Sequence, residues 1–140
     1  MTRLLVPVDG SAQSIKALQF ALKQAVENSY EIILLNVQPS YNTPNIKRFV
    51  KQEQIRAYQS EESKVAFEKA LAETKNFSIP VETKLRTGDP GIEICAEARE
   101  NQATQIIMGY RGLGAIKGTV LGSVSYKVLH EAPCPVTVVP

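Results

Sequence analysis

Five of the eight glycines in this chain fall within fifteen residues, in the run Gly109-Tyr-Arg-Gly112-Leu-Gly114-Ala-Ile-Lys-Gly118-Thr-Val-Leu-Gly122-Ser123, so any chemistry done there is done largely by backbone. Glycine reaches φ > 0 and lets a ligand come close to main-chain amides. A helix beginning at Gly122-Ser123 offers free N–H groups and the positive end of its dipole, a combination that holds phosphate. Ser123 and Ser125 add hydroxyl donors. Two familiar phosphate signatures are excluded. Gly112-Leu-Gly114-Ala-Ile-Lys-Gly118 has one residue too many for G-x-G-x-x-G, and no G-x-x-x-x-G-K-[ST] occurs anywhere. A plain glycine-rich loop satisfies the same residues, and the cluster alone leaves both readings open.

That segment works only if a strand delivers it and a helix receives it. Arg3 to Val8 is apolar and β-rich, and Asp9-Gly10-Ser11 follows as a turn, with Ser11 placed to cap a helix running to about Asn28. Within it Ile15, Leu18, Leu22, Ala25 and Val26 recur at helical spacing and predict one buried stripe. Glu31 to Val37 has a continuous Ile-Ile-Leu-Leu core, which suits a strand covered on both faces. Pro39 to Asn45 reads as a loop, followed by a long polar helix from about Ile46 to Lys75 with Phe67, Ala70 and Leu71 inward. Val81 to Arg86 alternates as a strand. Thr87-Gly88-Asp89-Pro90 turns into a short helix ending near Glu100, with Pro90 near its first position and Ile92, Cys95 and Ala98 on one face. Gln105 to Met108 is a fourth strand, Leu121, Val124, Val128 and Leu129 mark a last helix, and Pro135 to Val139 is a closing strand. Strands alternating with helices imply right-handed βαβ crossovers and a mostly parallel sheet. The glycine-rich segment then leaves the carboxyl end of the fourth strand, the end at which open α/β sheets bind ligands.

Composition narrows the function classes. A chain of 140 residues, 44% apolar and 21% charged, is expected to form one domain, residues 1–140, with a core that needs no disulfide or metal. The net charge of +2 comes without a dense basic block, since Lys47, Arg48 and Lys51 sit among polar and acidic residues, and nucleic-acid binding gains no support. Cys95 and Cys134 are far apart and His130 is the one histidine, too few ligands for a structural zinc. Both thiols read as small buried apolar groups. No apolar run approaches a membrane span and the N-terminus lacks a signal-peptide pattern, so a cytoplasmic protein with no membrane partner is expected.

The spacing of the glycines carries a resemblance. Gly109-x-x-Gly112, nine residues, then Gly122-Ser123 resembles the G-2x-G-9x-G-[ST] nucleotide motif of the universal stress protein family. Leu4-Leu-Val-Pro-Val-Asp-Gly-Ser11, Leu34-Leu-Asn-Val37, Gly88-Asp-Pro90, Ile107-Met-Gly-Tyr-Arg-Gly-Leu-Gly114, Gly122-Ser-Val-Ser125 and Pro133-Cys-Pro-Val136 follow the family's pattern in order over nearly the whole chain. The resemblance implies a three-layer open α/β sheet of five parallel strands, order 3-2-1-4-5, with helices on both faces (adenine nucleotide alpha hydrolase-like). It also implies the ATP-binding subgroup, in which the motif is intact. Carried over by position, Gly112, Gly122, Ser123, Val124 and Ser125 hold the phosphates. Asp9 and Gly109 face the ribose. Pro7, Val8, Val37 and Met108 line the adenine pocket, Val37 through its backbone. Tyr110 departs from the small residue often found before the loop's arginine.

Asp9 also reads as a simple turn device. Arg111 and Lys117 read equally as phosphate partners or as solvated loop charges. A Mg or Mn ion accompanying the triphosphate is expected to be held by phosphate oxygens and water. Family members commonly pair the fifth strand with its copy in a second subunit, which implies a homodimer through Pro135 to Val139. The glycine loop holds no Asp, Glu or His, and His130 lies roughly 11 Å along its helix from the phosphate end. Fast phosphoryl transfer is therefore not expected. The expected role is an ATP-binding regulatory or stress-response protein whose segment from Arg111 to Gly118 moves on binding. A slow ATPase or phosphoryl or nucleotidyl transferase, and a dimeric module binding AMP or a cyclic nucleotide, stand as alternatives.

Overall fold

In the computed structural model, residues 2–40, 51–111 and 121–140 are described. The strands are β1 (Arg3–Pro7), β2 (Glu31–Gln38), β3 (Val81–Thr87), β4 (Gln105–Gly109) and β5 (Val136–Val139). The helices are α1 (Ala12–Asn28), α2 (Gln52–Thr74), α3 (Pro90–Glu100) and α4 (Ser123–Glu131). All strand pairs are parallel and the order is β3-β2-β1-β4-β5, as the resemblance implied. Parallel pairing demands cover on both faces, and the period-2 geometry of a strand delivers it. Leu4, Val6, Val8, Ile32, Leu34 and Ile107 form one core with α1 and Ala70 of α2. Leu5, Ile33, Leu35, Ile106 and Met108 form the other with Ile94, Cys95 and Ala98 of α3 and Val128 of α4. Each fully buried Leu or Ile contributes about 1.5–3 kcal/mol.

The helices start and stop on identifiable residues. Ser11 caps α1, its Oγ accepting from the Ser14 N–H at 3.1 Å, and Ser29 ends the helix at φ 58°. Asp89 caps α3, accepting from the Ile92 N–H at 3.0 Å, with Pro90 at the first helical position. At the sheet edge, Arg86 of β3 reaches across α3 to Glu93 (3.1 Å), Glu97 (3.1 Å) and Glu100 (2.9 Å). Glu97 is buried and also accepts from the Asn101 amide. This pairing raises the Arg86 pKa further above its ordinary value, the Glu100 hydrogen bond being the largest cause.

Three inward assignments from the sequence are corrected. Val26 of α1 is 50% exposed; the stripe is Ser14, Ala17, Leu18, Ala21, Leu22 and Ala25. Leu71 of α2 is exposed, and Ile92 of α3 yields its place to Gly91 and Ile94. The cause is common to all. Small residues set the face that approaches the sheet, and a reading weighted by side-chain size rotates the helix toward its larger residues. Ile46 lies outside the described residues, so the helix start expected there is untested; α2 is described from Gln52. Cys95 is buried and Cys134 half-buried beside the same core, and burial pushes both thiols up.

Candidate functional site

β1 and β4 are neighbours, yet the chain leaves them in opposite directions, β1 toward β2 and β4 toward β5. A crevice opens outside their carboxyl ends at such a switch point. On the β1 side the turn is built by hydrogen bonds. Gly10 takes φ +85°, and Asp9 Oδ1 accepts from the Ser11 N–H at 2.9 Å. The Asp9 N–H reaches Ser14 Oγ at 3.4 Å, and Lys69 Nζ lies 3.5 Å from the Gly10 carbonyl oxygen. The Asp9 carboxylate is thereby oriented by its own turn at the lip of the crevice.

On the β4 side the packing is tighter. A Cβ on Gly109 would lie 3.0 Å from both the carbonyl carbon and the oxygen of Gln13, so glycine is what lets the first turn of α1 touch the end of β4. Ser125 is buried and donates its hydroxyl to the Gly109 carbonyl at 2.9 Å, with Tyr110 O at 3.3 Å. Tyr110 is anchored to β5 through its N–H on Val139 O (2.8 Å), and Gly122 donates back to Tyr110 O (3.0 Å). Gly122 is the N-cap of α4 and supplies no side-chain cap. The N–H groups of Ser123, Val124 and Ser125 therefore have no acceptor within their helix. Gly122 sits against Arg111, whose Cα would be 3.3 Å from an added Cβ. Gly112 and Lys117, expected from the sequence to contact phosphate, lie outside the described residues.

β2 contributes its end as backbone. Its odd residues direct their main-chain groups at β1: Glu31 N–H donates to Thr2 O (3.0 Å), and Leu35 O accepts from the Val8 N–H (2.8 Å). Val37, two residues on, aims the same way, past the point where the β1–β2 pairing stops at Pro7 and Leu35. The Val8 carbonyl instead accepts from the Asn36 side-chain amide at 2.8 Å, and Gln38 Nε2 donates to Asn36 Oδ1 at 2.8 Å.

The described site residues thus converge on one end of the sheet: Pro7 ending β1 with Val8 and Asp9 after it, Val37 on β2, Met108 and Gly109 on β4, and Ser123 to Ser125 opening α4. Their side chains do not all share a face. Val8 packs into the α1–α2 core, while Met108 and Val37 belong to the α3–α4 side. Sequence reading missed Asn36 and Gln38. The available signal was an amide interrupting the Ile-Ile-Leu-Leu run on the same face as Ile32 and Leu34. Asp89, also at this end of the sheet, is engaged by Lys127 at 3.2 Å. Among the described residues no group of three or more His, Cys, Asp or Glu could hold a metal ion, and no helix is long and apolar enough to cross a membrane. His130 stacks edge-to-face on Tyr126, centroids 4.4 Å apart.

Comparison with known proteins agrees with this architecture. The universal stress protein family model matches residues 1–140. The universal stress protein YxiE of Bacillus subtilis is 31% identical, covering 98% of this chain and 97% of its own. UspA from Lactobacillus plantarum superposes with a TM-score of 0.86 at 24% identity, over 99% of this chain and 97% of that one. Two further structures share the fold with nucleotide bound. The Archaeoglobus fulgidus protein in complex with dAMP has a TM-score of 0.73 at 22% identity, over 100% and 98% of the chains. The Arabidopsis thaliana protein with AMP bound has 0.72 at 23%, over 99% and 91%. A family match across the full length, carried on the 3-2-1-4-5 sheet and its switch-point crevice, establishes that this chain belongs to the universal stress protein family.

Proposed function

We propose that this protein binds an adenine nucleotide, ATP, across the carboxyl ends of β1 and β4, and that binding biases its conformation or assembly as a cytoplasmic regulatory or stress-response protein. The observation that carries this reading is the uncapped first turn of α4, held against the end of β4 by the Ser125 hydroxyl on the Gly109 carbonyl. Free helix N-terminal amides favour phosphate. In this reading Gly112, Gly122 and the amides of Ser123, Val124 and Ser125 hold the phosphates, with Arg111 and Lys117 as charge partners. Asp9 and Gly109 face the ribose. Pro7, Val8 and Met108 shape the base pocket, and Val37 reads the base edge with its N–H and carbonyl. A Mg²⁺ or Mn²⁺ ion would be held mainly through the phosphates, since among the described residues no group of three or more His, Cys, Asp or Glu could hold it.

Calorimetric titration with ATP tests the reading. Gly122→Val drives a branched side chain against Arg111 and the Tyr110 carbonyl, displaces the first turn of α4 and raises Kd at least about tenfold. Unchanged affinity in a folded variant overturns the assignment. The relatives bound to AMP and dAMP favour a second reading of the ligand itself, a monophosphate in place of ATP. Mass spectrometry of nucleotide released from the freshly purified protein separates the two. Turnover above ~1 s⁻¹ would instead make the protein an enzyme.

A further inference from the structure

We infer that Asn36 is a specificity-determining positioning residue: by taking the Val8 carbonyl, it stops the β1–β2 ladder and keeps the Val37 backbone available to read adenine. The inference rests on the adenine-nucleotide reading above and deepens it. In a continuing parallel ladder the Val8 carbonyl is the next acceptor for the Val37 N–H, because Leu35 already exchanges with β1 on either side of Pro7. That carbonyl is occupied instead by Asn36 Nδ2 at 2.8 Å. The assignment of the amide is forced by chemistry, since a carbonyl only accepts. Gln38 locks the orientation by donating to Asn36 Oδ1 at 2.8 Å. Both amides are buried, at 3% and 8% exposure, where an idle polar group is costly. Two buried amides in series at the end of a strand contribute nothing to an apolar core. They account instead for why the pairing ends at Leu35 and why Val37 presents one donor and one acceptor side by side.

That pair matches adenine, whose edge offers an acceptor at N1 and a donor at the 6-amino group. It mismatches hypoxanthine, whose N1 carries a proton and whose O6 accepts. The native chain should prefer ATP to ITP by at least about tenfold, because a site built around a hydrogen bond rejects the ligand that cannot make it. In Asn36→Leu the freed Val8 carbonyl captures the Val37 N–H and the ATP/ITP ratio falls to within about threefold. A merely structural role for Asn36 would weaken both nucleotides together and leave the ratio in place, and that result in a folded variant overturns the inference. A second measurement needs no variant. In the nucleotide-free native chain the Val37 amide should exchange with solvent at least about a hundredfold faster than that of Leu35. Equal protection of the two amides also overturns it. A native chain that binds neither nucleotide removes this inference together with the reading beneath it. Discrimination that survives in Asn36→Leu removes this inference alone.

Discussion

Ser125 donates its hydroxyl to the carbonyl of Gly109 across 2.9 Å, from a side chain that is 2% exposed. The bond fastens the first turn of α4 to the last residue of β4 and so fixes the direction of three amides. The hydroxyl is spent on the scaffold. What Ser125 can turn toward a ligand is its N–H.

Ser125→Ala should therefore separate stability from binding. The half-buried Gly109 carbonyl loses its donor, at a cost of about 0.5–1.5 kcal/mol in urea unfolding. ATP affinity, carried by the amides, should stay within about threefold. A large loss of affinity with unchanged stability would show that the hydroxyl itself meets the ligand.

Gly109→Ala should be more damaging than its size suggests. The added methyl group meets the Gln13 carbonyl at 3.0 Å, and backbone atoms cannot swing aside as a flexible side chain can. Overpacking of this kind costs about 1–3 kcal/mol. Thermal unfolding of the variant measures it, and an unchanged Tm would mean that α1 slides to make room.

How much of this was legible in the sequence depends on the length scale of the cause. Strand placement followed from continuous apolar runs such as Ile32–Leu35, and the sheet order was what the family resemblance implied. The cap at Ser11 and the helix start at Pro90 were legible because such end signals are local. The inward faces of the helices were read less well. Val26 and Ile92 are large, apolar and wrongly placed, since close approach to the sheet is decided by Ala17, Ala21 and Gly91. At the proposed site, the glycines stand out by their type, and Asp9 was singled out by the resemblance. Asn36 was not, because its meaning lies in a contact with Val8 that is distant in sequence.

Arg86 holds the outer edge of the sheet to α3, and its removal strands Glu97, which is 3% exposed. Arg86→Met should destabilise the protein by about 3 kcal/mol, and replacing Glu97 with Met as well should recover most of it. The pairing also predicts a pH response. Arg86 holds the Glu100 carboxyl below its ordinary value near 4.5, and the Ile92 N–H, ahead of Lys127, does the same for Asp89 below 3.8. A depressed folded pKa gives stability that is complete above the ordinary value and is lost as pH falls through the folded one. Denaturant midpoints should thus decline below about pH 4.5, and the Glu100 share of that decline should be absent in Arg86→Met.

The homodimer expected through β5 can be probed by a single proline. Pro135 O accepts from Ile106 N–H (3.0 Å) and Val139 O from Tyr110 N–H (2.8 Å), so odd positions serve β4 and Val138 directs its N–H away from the sheet. Val138→Pro removes an outward donor while sparing the inner ladder. Sedimentation should show the native dimer shifting to monomer. A native monomer, or a dimer indifferent to the change, would place any assembly elsewhere.

The contact between Gly122 and Arg111 has a practical consequence. It makes a closed neck, reinforced by the Gly122 N–H on Tyr110 O, between the end of β4 and the start of α4. The neck holds Arg111 and Gly122 together, so a segment inserted between them would start from ends already closed. Doubling the length of such an excursion costs only about 0.6 kcal/mol in closure entropy. A different ligand specificity can accordingly be grafted there while β4, α4 and the core beneath them keep their register.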